Sequence, residues 1–131
     1  MVQTIPTRGE MERSLSQFVQ AFYRNQLGCR TDKVSCHILN NQVAIAIENP
    51  ITPIEKLLNN SGEDDFINDL RDRIDTLVKQ ELLSQLKTVL GVEVIALTID
   101  TALDNNLTGV VALLAQKPAV RDTKRSSKSK K

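Results

Sequence analysis

The chain has 131 residues, 40% of them hydrophobic, with three Phe, one Tyr and no Trp. That length suits one domain plus a tail and can bury a core of real size, and no apolar run approaches the roughly 20 residues that cross a bilayer. The formal net charge of +1 conceals an asymmetry: residues 117–131 hold seven basic side chains against one acidic, a net of +6, while the other 116 residues hold 10 basic and 15 acidic, a net of −5.

Residues 1–6 read as frayed, and MVQTIPTRGEMER carries no apolar signal segment, so the expected compartment is the cytoplasm. From Thr7 to Leu27, Met11, Leu15, Phe18, Val19, Phe22 and Leu27 fall on one helical face, and Gly28 ends the helix. The period then changes from 3.6 to 2. Lys33–Leu39 and Gln42–Glu48 flank Asn40-Asn41, two residues that tolerate positive φ and suit a tight hairpin. That turn sets Leu39 opposite Gln42, Ile38 opposite Val43, Cys36 opposite Ile45 and Val34 opposite Ile47. The apolar side chains then share one face, and Ser35, His37, Ala44 and Ala46 share the other, so turn and alternation choose the same register.

Asn49-Pro50 stops the second strand. Thr52 as cap, Pro53 at the first helical position and Glu55 three residues after the cap make a capping box for a short helix. Glu63–Leu90 is the longest periodic stretch, with Phe66, Ile67, Leu70, Ile74, Leu77, Val78, Leu82, Leu83, Leu86, Val89 and Leu90 forming an apolar stripe. Asp64, Asp65, Asp69, Arg71, Asp72 and Asp75 are placed mainly on the opposite, solvated face, with Ser61 as cap and Gly91 as terminator. Such a helix is roughly 40 Å long, so part of its stripe must pack on something besides one small sheet. Val92–Asp100 and Leu107–Ala115 read as two more strands, apolar on both faces, as in central strands or strands whose outer face is covered. The expected fold is α+β, in the order α-β-β-α-α-β-β. It is a four-stranded, mostly antiparallel sheet of two hairpins with helices on one face, occupying residues 7–116. Residues 117–131 read as a disordered basic tail.

Catalytic constellations do not emerge. Cys36 and His37 are adjacent in a strand and point to opposite faces, so neither can activate the other. Cys29, Cys36 and His37 fall short of a tetrahedral metal set, and no phosphate-binding glycine loop is present. The two cysteines read as free thiols. Glu63, Asp64, Asp65, Asp69 and Asp72 read as a helix start dressed for its dipole rather than as a cation site. The tail, with Lys124, Arg125, Lys128, Lys130 and Lys131, fits three roles: a solubilising segment, an electrostatic contact to an acidic partner or anionic membrane surface, or a salt-sensitive contact to nucleic acid.

Several of these pieces, in this order, resemble the MpsC family of small bacterial proteins. They are the amphipathic helix ending near Gly28, the hairpin Val34–Ile47, and the segment Ile51-Thr52-Pro53-Ile54-Glu55-Lys56-Leu57-Leu58, similar to that family's LTPxE-type segment. The charged helix with Arg71, then Gly91-Val92 and a strand ending in Asp100, complete the match over roughly residues 10–115. Before the first strand the chain has Gly28-Cys29-Arg30-Thr31-Asp32 in place of the family's GRGP-like turn. The resemblance implies an accessory or regulatory part linked to ion or inorganic-carbon transport. It supplies no catalytic residues and no cofactor.

The first expectation is therefore a non-enzymatic binding protein, cytoplasmic or peripheral at the inner face of the membrane. It is expected to be a homodimer joined through Leu82, Leu86 and Leu90, where the stripe outruns the sheet. A second reading is an anion sensor whose ligand lies near Thr52, Glu55 and Arg71, with Arg71 as a fixed cation; alternatively Arg71 makes a surface ion pair with Asp75. A third is a nucleic-acid-associated protein that uses its tail.

Overall fold

The computed structural model describes residues 5–59 and 61–121. Its elements are α1 (Arg8–Gln26), β1 (Lys33–Leu39), β2 (Gln42–Glu48), α2 (Pro53–Leu58), α3 (Asp64–Leu90), β3 (Val94–Ala102) and β4 (Leu107–Leu114), with a single 3-10 turn, Leu103–Asn105, before β4. The strands form one antiparallel sheet in the order β1-β2-β4-β3. The fold is thus the α+β arrangement expected, and the strand order places the second hairpin beside the first through β4.

Local chemistry explains the boundaries. Thr7 caps α1 through Glu10, whose side chain in turn accepts from the Thr7 N–H, a reciprocal pair that satisfies two otherwise orphaned donors. Asn40, at φ 56°, makes the β1–β2 turn, and the register is the one that turn demands, Leu39 opposite Gln42 and Val34 opposite Ile47. Gly91, at φ 70°, ends α3 and sends its N–H to the Lys87 carbonyl. The start of α3 differs from expectation. Ser61 does not cap it; its hydroxyl donates to the Leu58 carbonyl and closes the turn after α2, and Glu63 stands at the cap position without a side-chain bond.

Three rows of side chains cross the sheet on its inner face: Val34–Ile47–Thr108–Thr101, Cys36–Ile45–Val110–Ile99 and Ile38–Val43–Ala112–Leu97. α1 packs on β1, α3 packs on β3, and the two helices touch each other. Met11, Leu15, Val19 and Tyr23 come from α1, and Ile74, Val78, Leu82, Leu86 and Leu90 from α3, so the core lies between the sheet and this helical layer. α3's excess length is taken up by α1 and α2.

Two expectations change here. Leu82, Leu86 and Leu90 are fully or almost fully buried inside the single chain, so they build its own core and present nothing to another copy. Phe66 and Leu77, counted in the stripe, are each 52% exposed, because α3 bends its burial toward a different set of positions. The ordered chain also runs past residue 116: Pro118 is buried, Val120 packs against the core, and the Arg121 N–H donates to the Pro6 carbonyl at 2.9 Å.

The sheet edges are finished differently. On β1, the outward N–H of Ile38 donates to Glu12 of α1 at 2.8 Å. On β3, the register slips between Val94 and Ala96, a bulge that turns Ile95 outward.

Leu86 lies at the middle of the core with no exposed surface. Leu86→Ala should cost about 3–5 kcal/mol in urea unfolding, the range for a buried leucine that leaves a cavity. A loss below about 1 kcal/mol would contradict this packing.

Candidate functional site

The sequence brings polar residues into the core at one end of the sheet. α2 is only six residues long, too short to be stable alone, and it is positioned by its capping box. Glu55 Oε1 accepts from the Thr52 N–H at 2.9 Å and from the Thr52 hydroxyl at 2.8 Å, while the Glu55 N–H donates to that hydroxyl at 3.4 Å. The outward side of the same carboxylate meets Arg71 of α3. Arg71 Nε donates to Oε2 at 2.8 Å and Nη2 to Oε1 at 2.5 Å, a two-pronged pair. Nη2 also donates to the Pro50 carbonyl at 3.0 Å, and Nη1 donates to Asp75 at 3.1 Å.

The network continues into the sheet. Thr101 of β3 donates to Asp75 Oδ2 at 2.9 Å. Because a hydroxyl carries one proton, the 2.5 Å contact between Thr101 and Thr108 of β4 must be a donation from Thr108. Thr52, Glu55, Arg71, Asp75 and Thr108 are all buried. Tyr23 of α1 stands in the same electrostatic neighbourhood as Arg71 and Asp75, fully buried, and its hydroxyl lies near that of Thr108 without completing a well-formed hydrogen bond.

The structure therefore brings together the three residues Thr52, Glu55 and Arg71. It also shows what Arg71 faces: Glu55, Asp75 and a backbone carbonyl, at 3% exposure. The Asp75 pairing at i+4 is present but lies in the core rather than on the surface, because Glu55 and Thr101 complete its surroundings. Burial raises the carboxyl of Asp75 above the usual carboxylate range, and Arg71 pulls it back. Burial tends to lower the Arg71 guanidinium, but the hydrogen bonds and charge of Glu55 overcome this and hold it above its ordinary value. Tyr23 and Thr108 are not singled out by the sequence, and Asp75 is read there only as a surface partner of Arg71. One signal was available for Asp75: the steps Leu90, Leu86, Leu82, Val78 continue backward at Asp75 and Arg71 on the same face.

Beside this network lies an open pocket of about 740 Å³ between the ends of β2 and α2, the start of α3 and the β3–β4 turn. Asn49, Lys56, Asn59, Asp64, Asn68 and Asn106 line it, with Glu55 in its floor. Asn49 and Asn106 both take left-handed backbone conformations, at φ 59° and 51°, and are joined by a bond from the Asn49 N–H to the Asn106 carbonyl at 2.9 Å. Among the described residues the lining combines amides, carboxylates and one lysine with the apolar side chains of Ile51, Ile67 and Leu103, and it includes no hydroxyl, thiol or imidazole.

A family model described as "Na+-translocating membrane potential-generating system (MpsC)" matches residues 7–116. The chain belongs to the MpsC family. No curated protein and no solved structure matches it. In this MpsC-family chain no helix among the described residues is long and apolar enough to cross a membrane. Cys29 and Cys36 are free and buried; the Cys29 thiol donates to the Ile51 carbonyl at 3.3 Å. Cys36 lies on the inner face of the sheet and His37 on the outer one, as their adjacency in β1 requires. Glu63, Asp64, Asp65, Asp69 and Asp72 are exposed along the start of α3, and no group of His, Cys, Asp and Glu among the described residues is arranged to hold a metal ion. Lys124, Arg125, Lys128, Lys130 and Lys131 lie outside the described residues.

Arg71→Met leaves Glu55 buried without its counter-charge and should cost about 3–5 kcal/mol in urea unfolding. Combining it with Glu55→Gln should cost less than the two single losses summed, since the pair acts as a unit; strict additivity would refute the coupling. Tyr23→Phe removes a buried hydroxyl that lacks a well-formed hydrogen bond, so stability should stay level or rise by up to about 1–3 kcal/mol. Burial pushes both Tyr23 and Cys36 up to about 12 from ordinary values of 10.0 and 9.0. Their contribution is complete below the ordinary values and is lost as pH rises toward about 12, so the melting temperature should fall across that window. Tyr23→Phe should make the fall shallower; an unchanged pH profile would count against burial of the phenol.

Proposed function

We propose that this chain is a non-enzymatic accessory protein that binds and regulates a membrane transport system for ions or inorganic carbon from its cytoplasmic side. The membership in a family described by a Na+-translocating, membrane-potential-generating system supports the setting. The pocket beside α2 supports the mode of action. Its amides can both donate and accept hydrogen bonds, which suits the main chain of a partner's loop.

The Glu55–Arg71 network forms a fixed floor beneath this pocket, so the contact surface is held in shape before binding. Pre-ordered surfaces lose less freedom on association. The lone exposed lysine of the lining, Lys56, and the carboxylates of Asp64 and Asp104 give the pocket both signs of charge. That is a pattern for a mixed polar segment rather than for a single small anion, and Arg71 has its donors engaged by Glu55, Asp75 and Pro50.

The test is a crosslinked pull-down from the native cell, comparing the full chain with one ending at Arg121 and with Asn68→Arg, which blocks the pocket. A membrane transport protein should come down with the first two and be lost with the third. Recovery only with residues 122–131 present would assign the contact to tail electrostatics. Recovery of nucleic acid instead, weakening steeply with salt, would overturn the transport reading.

A further inference from the structure

The helices cover one face of the sheet, and the other face is bare among the described residues. Four rows cross it: Leu39–Gln42–Leu113–Ala96, His37–Ala44–Val111–Thr98, Ser35–Ala46–Gly109–Asp100 and Lys33–Glu48–Leu107–Ala102. Val111 is 57% exposed, and Leu39, Leu107 and Leu113 are also exposed. A solvated sheet face ordinarily carries polar residues. Here the two central strands carry Ala44, Ala46, Leu107, Gly109, Val111 and Leu113, with Gln42 and Glu48 only at the two ends of β2, which is the composition of a covered surface.

We propose that this face docks a second copy of the same chain, face to face, about a two-fold axis running along the strands between β2 and β4. Such an axis keeps each row at its level and exchanges the columns, setting β2 over β4 of the second copy and β1 over β3. Shape then matches twice over. The bulky Val111 lies above Ala44 of the second copy, Gly109 lies above Ala46, and the reciprocal contacts repeat this by symmetry. Charge matches as well. Lys33 on β1 is carried over to the β3 side, one row from Asp100, while Glu48 falls over Leu107 at the margin of the face, and no like charges are placed opposite one another.

The size lies at the lower limit of a stable interface. Four strands at about 4.8 Å spacing and about seven residues at 3.4 Å give a footprint of roughly 19 by 24 Å. That flat area, about 460 Å², is below the roughly 600–800 Å² per partner of a stable interface, and the relief of the side chains has to supply the rest. The basic segment after Arg121 does not suit the face. Residues 122–131 read DTKRSSKSKK, with no aliphatic or aromatic side chain, and they follow Arg121, which is tied to Pro6 beside the start of α1.

Light scattering coupled to gel filtration tests this on the full chain. At tens of micromolar the protein should show twice the 14.6 kDa mass of one chain. Val111→Glu places a charge at the centre of the contact and should return the mass to that of one chain, with circular dichroism and melting of the monomer intact because Val111 faces outward. If Val111→Glu disturbs folding, Thr98→Lys on β3, also exposed, should split the dimer in its place. For the arrangement, His37→Cys with Thr98→Cys should be joined between copies by a short bis-maleimide, whereas either change alone should give little crosslinking. A wild-type monomer, or a dimer that survives both charge substitutions, would overturn the proposal. So would crosslinking of the single variants at the level of the pair.

Discussion

The bidentate contact between Arg71 and Glu55 is the joint on which this architecture turns. α2 is too short to stand alone, α3 starts without a side-chain cap, and the loop after β2 must reverse at Pro50. One guanidinium answers all three needs. It grips the carboxylate that caps α2, accepts the company of Asp75 one turn along α3, and ties down the Pro50 carbonyl. The cost of removing charge from water is large, and it is offset here because nearly every polar atom of the cluster has a partner. Thr101 and Thr108 extend the same network into β3 and β4, so the helical layer and the sheet meet through polar bonds at this end and through aliphatic packing at the other.

The pocket beside this joint owes its shape to the same contacts. Asn49 and Asn106 hold left-handed backbone positions that few side chains tolerate, and their mutual bond closes β2 onto β4 at the rim. A surface framed by paired charges and by turns of this kind keeps its form without a ligand.

Most of the architecture could be read from spacing. The Asn40-Asn41 turn and the alternation of β1 and β2 converge on one register, and the Thr52–Glu55 box marks the start of α2, because both depend on neighbours in the chain. Arg71 and Asp75 were assigned to solvent because periodicity sorts side chains by hydropathy, whereas their burial depends on Glu55, sixteen residues before Arg71 in the chain. Leu82, Leu86 and Leu90 were offered to a second copy because the helix looked longer than its sheet; α1 and α2, whose packing on α3 has no sequence signature, fill that length. Tyr23 has no local pattern that announces it either. The apolar character of both faces of β4 was visible, and its position between β2 and β3 accounts for the inner face only.

The treatment of the sheet edges governs what happens when the chain is abundant. A β-sheet with open edges recruits further strands, and recruitment of that kind has no natural end. Glu12 occupies the Ile38 N–H on one edge, and the bulge at Val94–Ala96 skews the ladder on the other. Growth by strand addition, the route to fibres, is thereby obstructed on both sides. Part of the bonding that an added strand would need is thus already spent on one edge and misaligned on the other, before any second sheet arrives.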